Sequence, residues 1–175
     1  MKKDNLKWIL TITISAFLIT IVFSLGSQIL LEDVGVIIGI IIILIFILIG
    51  VLFDIIGVAV QSSEVQPFHA MASKKIKGAK TAKKMLKNSA KVSSFCNDVI
   101  GDICNIISGS AGLVVSNNIS NSFNIDVTVS TLMVTSIIAA LTIGGKALGK
   151  GVAVSKSEFI ISKVIKVLHK FERKK

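Results

Sequence analysis

The residues best suited to chemistry form a short polar pattern inside an apolar stretch of the chain. Asp98 and Asp102 are four residues apart, Asn105 follows one helical turn later, and Ser108 one turn after that. On a helix this spacing predicts a single stripe of oxygen-bearing side chains. Oxygen donors suit hard cations such as Mg²⁺ or Ca²⁺. The stripe predicts either a cation site or a set of hydrogen bonds between helices, with one or both acids protonated.

A lysine at the end of the last apolar segment bears on the same site. Lys146 stands in the sequence IGGKALGK, where the chain leaves that segment. Its side chain is expected either to extend toward the membrane surface or to turn inward and pair with Asp98 or Asp102 in place of a metal ion. The glycine pair that ends at Gly145 would permit close helix approach or a break in the helix.

The remaining reactive side chains give no sign of catalysis. Asp54 and Glu64 are further acids at or near membrane depth. Cys96 and Cys104 have no partner motif and are expected to be small buried apolar residues. The two histidines lack metal-ligand spacing, and the chain contains no phosphate-binding loop, nucleophile elbow or zinc-protease motif. We therefore predict a protein that is not an enzyme.

The overall composition combines two features that normally oppose each other. The chain has 175 residues and a net charge of +10, yet 52% of its residues are hydrophobic. This hydrophobicity excludes an intrinsically disordered chain, and two cysteines are too few for a disulfide-stabilised scaffold. In a soluble protein the charge would suggest nucleic acid. The question is therefore where the charges lie.

Long apolar segments indicate the fold class. The clearest is 34–53, twenty residues without a polar side chain, which matches the thickness of a bilayer core when helical. No segment shows the alternation of a barrel strand. The sequence predicts an all-α integral membrane protein with four transmembrane helices. We expect an N-terminal helix within 1–31, a core over 34–150 with spans at about 34–60, 92–115 and 127–145, and a tail over 151–175.

The basic residues lie on one side of this topology. All 20 Lys and Arg residues precede the first span, occupy the 61–91 loop, or lie at or beyond the end of the last span. The positive-inside rule then predicts a multi-pass protein of the cytoplasmic membrane with both termini in the cytoplasm. The alternative is that residues 1–27 are a cleaved signal peptide, which would leave three spans.

The tail is predicted to be a basic amphipathic helix next to the membrane. Ile161, Ile165, Leu168 and Phe171 share one face, and lysines occupy the other. Such a helix is expected to lie among anionic lipid headgroups. The charge of the 61–91 loop is explained equally well as a solvated topology signal. Neither basic stretch has the interleaved aromatic residues of a nucleic-acid site, so no nucleic-acid partner is expected.

The order of these segments resembles the transmembrane domain of the CorB/CorC (cyclin M) family of magnesium and cobalt transport proteins. The similarity covers residues 40–165. Gln61-Ser62-Ser63-Glu64-Val65 resembles the family's first motif, and the lysine-rich stretch 74–83 its basic cytoplasmic segment. Ile100 to Asn105 resembles a Gly-Asn-Asn-Leu-Ala-Asn motif, and Gly145 to Lys150 a Gly-Glu-x-x-Pro-Lys motif. The likeness fits a short subgroup without the regulatory CBS domains.

The resemblance implies a three-helix core, to which this chain adds one N-terminal helix, and a homodimer that transports Mg²⁺ or Co²⁺. Carried over by position, the metal ligands would be Ser62, Ser63, Asp102 and Asn105, with Asp98 at the entry path. Lys146 stands where the family has a glutamate. A CBS-domain partner on another chain is a further expectation. Two alternatives remain, a non-transporting scaffold or regulator with a degenerate ion site, and a small pore-forming protein.

Overall fold

The protein is almost entirely helical in the computed structural model, which describes residues 3–32, 35–73 and 78–172. Those residues contain no β-strand, and the predicted all-α fold is confirmed. A π-helical segment, Phe95–Gly101, lies between α5 and α6. In chain order the α-helices are α1 (Lys3–Glu32), α2 (Val36–Ser62), α3 (Gln66–Ser73), α4 (Ala79–Lys87), α5 (Ser89–Ser94), α6 (Asp102–Phe123), α7 (Val127–Ser155) and α8 (Ser157–Glu172).

Four helical stretches in the described ranges are long and apolar enough to cross a membrane, as predicted. They are Lys7–Gly26, Val36–Ser62, Ser89–Phe123 and Val127–Ser155. The last stretch continues well beyond Gly145, so the glycine pair does not break the helix. A Cβ on Gly144 would meet nothing within 4 Å, whereas Gly149, further along the same helix, packs closely on Ile55. A continuous helix satisfies its own backbone hydrogen bonds, as the membrane requires.

The helices form two compact units. The first unit comprises Met1–Gly50 and Val99–Gly145, and the second comprises Val51–Asp98 and Lys146–Lys175. In the first unit, α1 packs against α6. Side chains from α1 and α2 cover an apolar cluster there, which consists of Val99, Ile103 and Ile107 with Ile12, Ala16 and Phe46 packed against it.

The connection between α6 and α7 in the first unit is a tight turn with a defined cap at each end. Asn124 adopts a left-handed conformation (φ 52°) and ends α6. Asp126 Oδ1 then accepts hydrogen bonds from the backbone N–H groups of Thr128 (2.8 Å) and Val129 (3.4 Å). These groups open α7 and have no acceptor within the helix, so the aspartate acts as an N-cap.

The second unit buries its own apolar cluster between the short helices and the tail. Phe68 of α3, Leu86 of α4, and Ile161 and Ile165 of α8 are almost fully buried there. The tail therefore turns its predicted apolar face onto the protein, although Leu168 on that face stays 40% exposed. Within the basic loop, Ala79–Lys87 form the helix α4. Residues 74–77 and Arg173 lie outside the described residues, as do the side chains of Lys170 and Phe171.

Candidate functional site

An ion pair between α2 and α7, in which the carboxylate is buried, is the most distinctive polar feature of the second unit. Lys146 Nζ lies 3.8 Å from Asp54 Oδ1, and the Asp54 side chain is only 8% exposed. The other carboxylate oxygen, Oδ2, is buried and has no hydrogen-bond partner among the described residues. Lys146 thus turns inward, the second of its two predicted outcomes. Its partner is Asp54, whereas the sequence pointed to Asp98 or Asp102.

An asparagine amide lies one helical turn from this carboxylate. Gly57 follows Asp54 by three residues on α2, and a Cβ on Gly57 would collide with Oδ1 of Asn97. Any other residue at position 57 would therefore push the amide away. Asn97 Oδ1 is itself buried and has no hydrogen-bond partner within the described part of the chain. Two unsatisfied oxygens, one charged and one neutral, thus lie near the same stretch of α2.

Weaker hydrogen bonds extend this polar group along α2. Asn97 Nδ2 donates to Ser93 Oγ at 3.4 Å, and Ser93 Oγ donates to Gln61 Oε1 at 3.4 Å. Gln61 lies about two helical turns beyond Asp54, so the polar side chains follow one face of α2. We call this group the Asp54 cluster; it comprises Asp54, Gly57, Gln61, Ser93, Asn97 and Lys146.

The four residues of the predicted stripe on the third span differ in their exposure. Asp98 and Asp102 are exposed, Asn105 is half-buried, and Ser108 is completely buried. The change occurs within α6, because each three-residue step from Asp102 to Asn105 and on to Ser108 falls about 60° short of a full turn. Asp98 accepts a hydrogen bond from Ser94 Oγ at 2.7 Å. Ser108 Oγ donates to the Cys104 carbonyl at 2.9 Å within its own helix.

The four predicted metal ligands are divided between the two units. Ser62 is exposed at the end of α2, and the adjacent Ser63 has a buried hydroxyl without a hydrogen-bond partner among the described residues. Both serines belong to the second unit, whereas Asp102 and Asn105 belong to the first. No group of three or more His, Cys, Asp and Glu side chains suited to a metal occurs in the described ranges.

A second polar site lies in the first unit, between α6 and α7. Asn105 and Thr142 line an open cavity of about 290 Å³. Asn105 Oδ1 and Thr142 Oγ1 are both buried and, within the described ranges, lack hydrogen-bond partners. We call this cavity the Asn105 groove; its lining residues are Asn105, Gly109, Thr135, Ile138, Ala139, Thr142 and Ile143.

Sequence reasoning identified several of these residues and missed others. Asp54, Asn105 and Lys146 stood out because ionisable or amide groups are rare in membrane helices. Asn97 and Thr142 did not, since single Asn and Thr residues are common on packed membrane helices. The only available signal for Asn97 was a glycine one turn after Asp54, which allows a side chain to approach closely. Cys96 and Cys104 are both buried, as predicted.

Comparison of the chain with family models, with curated proteins and with solved structures gives no match. Its function must therefore be inferred from the chemistry of the Asp54 cluster and the Asn105 groove.

Proposed function

We propose that this protein transports a divalent cation such as Mg²⁺ or Co²⁺ across a membrane. The observation that carries the proposal is the Asp54 carboxylate, which is buried, has one oxygen beside an ammonium group, and has a second oxygen with no partner in the described residues. Ionisable groups buried in membrane helices are costly and are typical of ion pathways. The sequence resemblance to the CorB/CorC family supports the same cargo.

The donor atoms of the Asp54 cluster suit a hard cation. Asp54 Oδ2 and Asn97 Oδ1 are buried oxygens that lack hydrogen-bond partners among the described residues. Mg²⁺ is usually held by one or two carboxylates and keeps several water molecules. One carboxylate, one amide oxygen and water therefore form a reasonable partial ligand set for a cation in transit. No chemical reaction is required of the protein.

Lys146 would act as an internal competitor for the same carboxylate. Its ammonium group neutralises Asp54 when no metal is bound, which lowers the cost of burying the aspartate. The distance of 3.8 Å is too long for a tight hydrogen bond, and the Lys146 side chain is 21% exposed. The flexible four-carbon stem can move the charge away when a cation arrives. Exchange between ammonium and cargo would keep the Asp54 carboxylate beside a positive charge.

The test is cation flux into proteoliposomes that contain the purified protein. We expect Asp54→Asn to abolish Co²⁺ and Mg²⁺ uptake, because the amide cannot supply the negative charge. Asp126→Asn is the matched control, since Asp126 is exposed in the turn before α7 and outside the Asp54 cluster. Size-exclusion and circular dichroism profiles establish that both variants fold. Equal flux through Asp54→Asn, Asp126→Asn and wild type would refute the proposal.

A non-transporting scaffold or regulator is the second candidate, and the ion pair itself favours it. A permanent Asp54–Lys146 pair would leave no net charge to attract a cation. The two candidates differ in metal-induced thermal stabilisation. A transporter should be stabilised by Co²⁺ in its wild-type form, whereas a scaffold should respond only after Lys146→Glu removes the competing ammonium. Stabilisation confined to Lys146→Glu would therefore favour the scaffold.

The predicted ligands and partners keep their places in this proposal. Ser62, Ser63 and Asp102 remain proposed ligands, and Asp98 remains at the proposed entry path. Anionic lipid remains a proposed partner of the tail, because α8 exposes Phe159 (62%) and lysines. Lys163 Nζ lies 5.4 Å from the Phe159 ring centre, an arrangement suited to an interface between water and lipid. Homodimer formation and a CBS-domain partner remain predictions.

A further inference from the structure

A row of polar side chains connects the exposed end of α2 with the buried Asp54 carboxylate. Gln61 is exposed near the end of α2, whereas Ser93 and Asp54 are almost completely buried. Asn97 Nδ2 donates to Ser93 Oγ, which in turn donates to Gln61 Oε1. The Asn97 amide also fills the space beside Gly57, one helical turn from Asp54. The row therefore leads from the protein surface to a carboxylate within a membrane-spanning helix.

The hydrogen bond that joins the two spans in this row is weak. Ser93 Oγ and Gln61 Oε1 are 3.4 Å apart, whereas a hydroxyl donor usually lies about 2.5–3.0 Å from its acceptor. In the first unit, by contrast, Ser130 Oγ donates to the Ser116 carbonyl at 2.8 Å. A short bond of that kind holds two helices together. The longer bond at Gln61 leaves the two side chains free to separate and admit water.

The inner end of the row has oxygens that water would satisfy. Asp54 Oδ2 and Asn97 Oδ1 are buried, and neither has a hydrogen-bond partner in the part of the chain that the structure describes. An unpaired polar atom within a membrane is costly. A buried water molecule typically makes about three hydrogen bonds to such atoms. Water that enters along the row would therefore remove this cost at its inner end.

We infer that Gln61, Ser93 and Asn97 line the route by which water and the cation reach Asp54 from the side of the 61–91 loop. Their side chains are neutral, which suits passage, because a pathway must bind an ion weakly enough to release it. The Asp54 carboxylate at the inner end supplies the charge that holds the cation. The cargo is that of the proposed transport function, on which the inference rests, but the access of water can be measured without any flux.

The experiment measures how fast a water-soluble thiol reagent reaches cysteines placed on the row. Ser93→Cys and Asn97→Cys provide these thiols in the full chain. The matched control is the wild type, whose Cys96 lies between the two positions and is buried, as is Cys104. The reagent is a positively charged, membrane-impermeant methanethiosulfonate. We expect both variants to react at least about tenfold faster than the wild type, because a buried thiol is unreactive whereas a hydrated one ionises.

The number of labels per chain shows that the variants are folded. Mass spectrometry should find one adduct in Ser93→Cys and in Asn97→Cys, because the two native cysteines stay buried. The wild type should be labelled only after denaturation. Native cysteines that react as fast as the introduced ones would mean that the whole segment is open to water, and the route would be overturned.

Two further variants identify the side from which the reagent enters. Lys87 and Ser122 are both exposed, and under the predicted topology the third span separates them. Lys87→Cys therefore marks the side of the 61–91 loop, and Ser122→Cys marks the opposite side. The reagent is added outside vesicles of a single orientation. Asn97→Cys should react in the orientation in which Lys87→Cys reacts, and reaction only in the other orientation would overturn the route.

The adduct also tests whether the cation uses the route. A bulky positive group attached to Ser93→Cys should abolish Co²⁺ uptake into proteoliposomes, whereas the same group on Lys87→Cys should leave uptake unchanged. Uptake that continues through the modified Ser93→Cys protein would overturn the route as the path of the cation.

The outcomes separate this inference from the proposed function. If Asp54→Asn abolishes uptake while Ser93→Cys and Asn97→Cys react as slowly as the wild type, transport stands and the route is overturned. If both variants react from the side of the 61–91 loop but the wild type takes up no Co²⁺, water reaches the Asp54 cluster as inferred and transport is overturned. Slow reaction together with no uptake overturns both.

Discussion

The two units of this protein stabilise polar groups in opposite ways. The second unit contains an ion pair between the buried Asp54 carboxylate and the partly exposed Lys146 ammonium group. The first unit uses neutral groups: Ser116 Oγ and Thr131 Oγ1 share a hydrogen bond of 3.0 Å, and Ser130 Oγ donates to the Ser116 carbonyl at 2.8 Å. Neutral bonds between membrane helices cost little desolvation, whereas a buried ion pair carries a large desolvation cost. The ion pair is therefore the feature that stability alone does not explain.

The apolar clusters of the two units differ in a related way. The cluster of the second unit is built largely from α3, α4 and α8, which are not among the candidate membrane spans. The cluster of the first unit is built from residues of the spans. Burial away from water stabilises the former, whereas packing alone stabilises the latter, because lipid is as apolar as the side chains. Substitutions in each unit test both contrasts.

The largest effect is expected when the ion pair loses its cation. Lys146→Met should lower the free energy of unfolding by about 3 kcal/mol, because it leaves the buried Asp54 charge uncompensated. Lys150→Met is the matched control, since Lys150 is exposed one turn further along α7. Thermal unfolding in detergent, followed by circular dichroism, measures the difference. The double variant Asp54→Asn with Lys146→Met should recover most of the loss. Equal stability of the two lysine variants would contradict a structural ion pair.

The ion pair also shows which features could be predicted from the sequence and which could not. Hydropathy and the positions of the charges predicted the four spans, because membrane insertion depends on composition and length. Asp54, Asn105 and Lys146 were also identified from composition, because ionisable and amide side chains are rare in apolar spans. The choice of Asp54 as partner for Lys146 depends on the rotation and packing of α2 against α7, which composition does not encode. The buried face of α8 was predicted by its periodicity, but its protein partner was not.

A smaller effect is expected from one substitution made in each apolar cluster. Ile161 and Ile107 are both almost fully buried, at 0% and 2% exposure. Ile161→Ala loses the free energy gained by moving the side chain out of water, and it leaves a cavity. Ile107→Ala loses only packing contacts in a lipid-like environment. We expect Ile161→Ala to be the more destabilising by about 2 kcal/mol. Thermal unfolding in lipid nanodiscs gives the comparison.

The outcome of this pair also tests the membrane boundary. If both isoleucine variants lose equal stability, the α3, α4 and α8 cluster is not exposed to water when the protein unfolds. In that case the contrast between the two apolar clusters would be wrong, and α8 would have to lie within the lipid.

The smallest effect is expected at the N-terminal cap of α7, Asp126. This cap is a charged group, whereas the hydrogen bonds between α6 and α7 in the same unit join neutral groups. The Thr128 hydroxyl and the backbone N–H groups of Thr128 and Val129 donate to Asp126 and hold the pKa of its carboxyl below the ordinary value. A lowered pKa in the folded state stabilises the protein at neutral pH, and this contribution is lost as the pH falls through the folded-state pKa. The loss should occur below about pH 4, near the ordinary aspartate pKa.

The matched variant for this cap is Asp126→Asn, which keeps a good capping side chain but cannot titrate. We expect the wild type to be slightly more stable than Asp126→Asn at pH 6, since a carboxylate also interacts favourably with the N-terminus of α7. Below about pH 4 this difference should shrink as the pH falls through the lowered folded-state pKa of Asp126. Thermal unfolding of both proteins at each pH measures it, and other carboxylates that titrate in both proteins cancel in the difference. A difference that stays constant from pH 6 to pH 3 would mean that the Asp126 charge does not contribute to the cap.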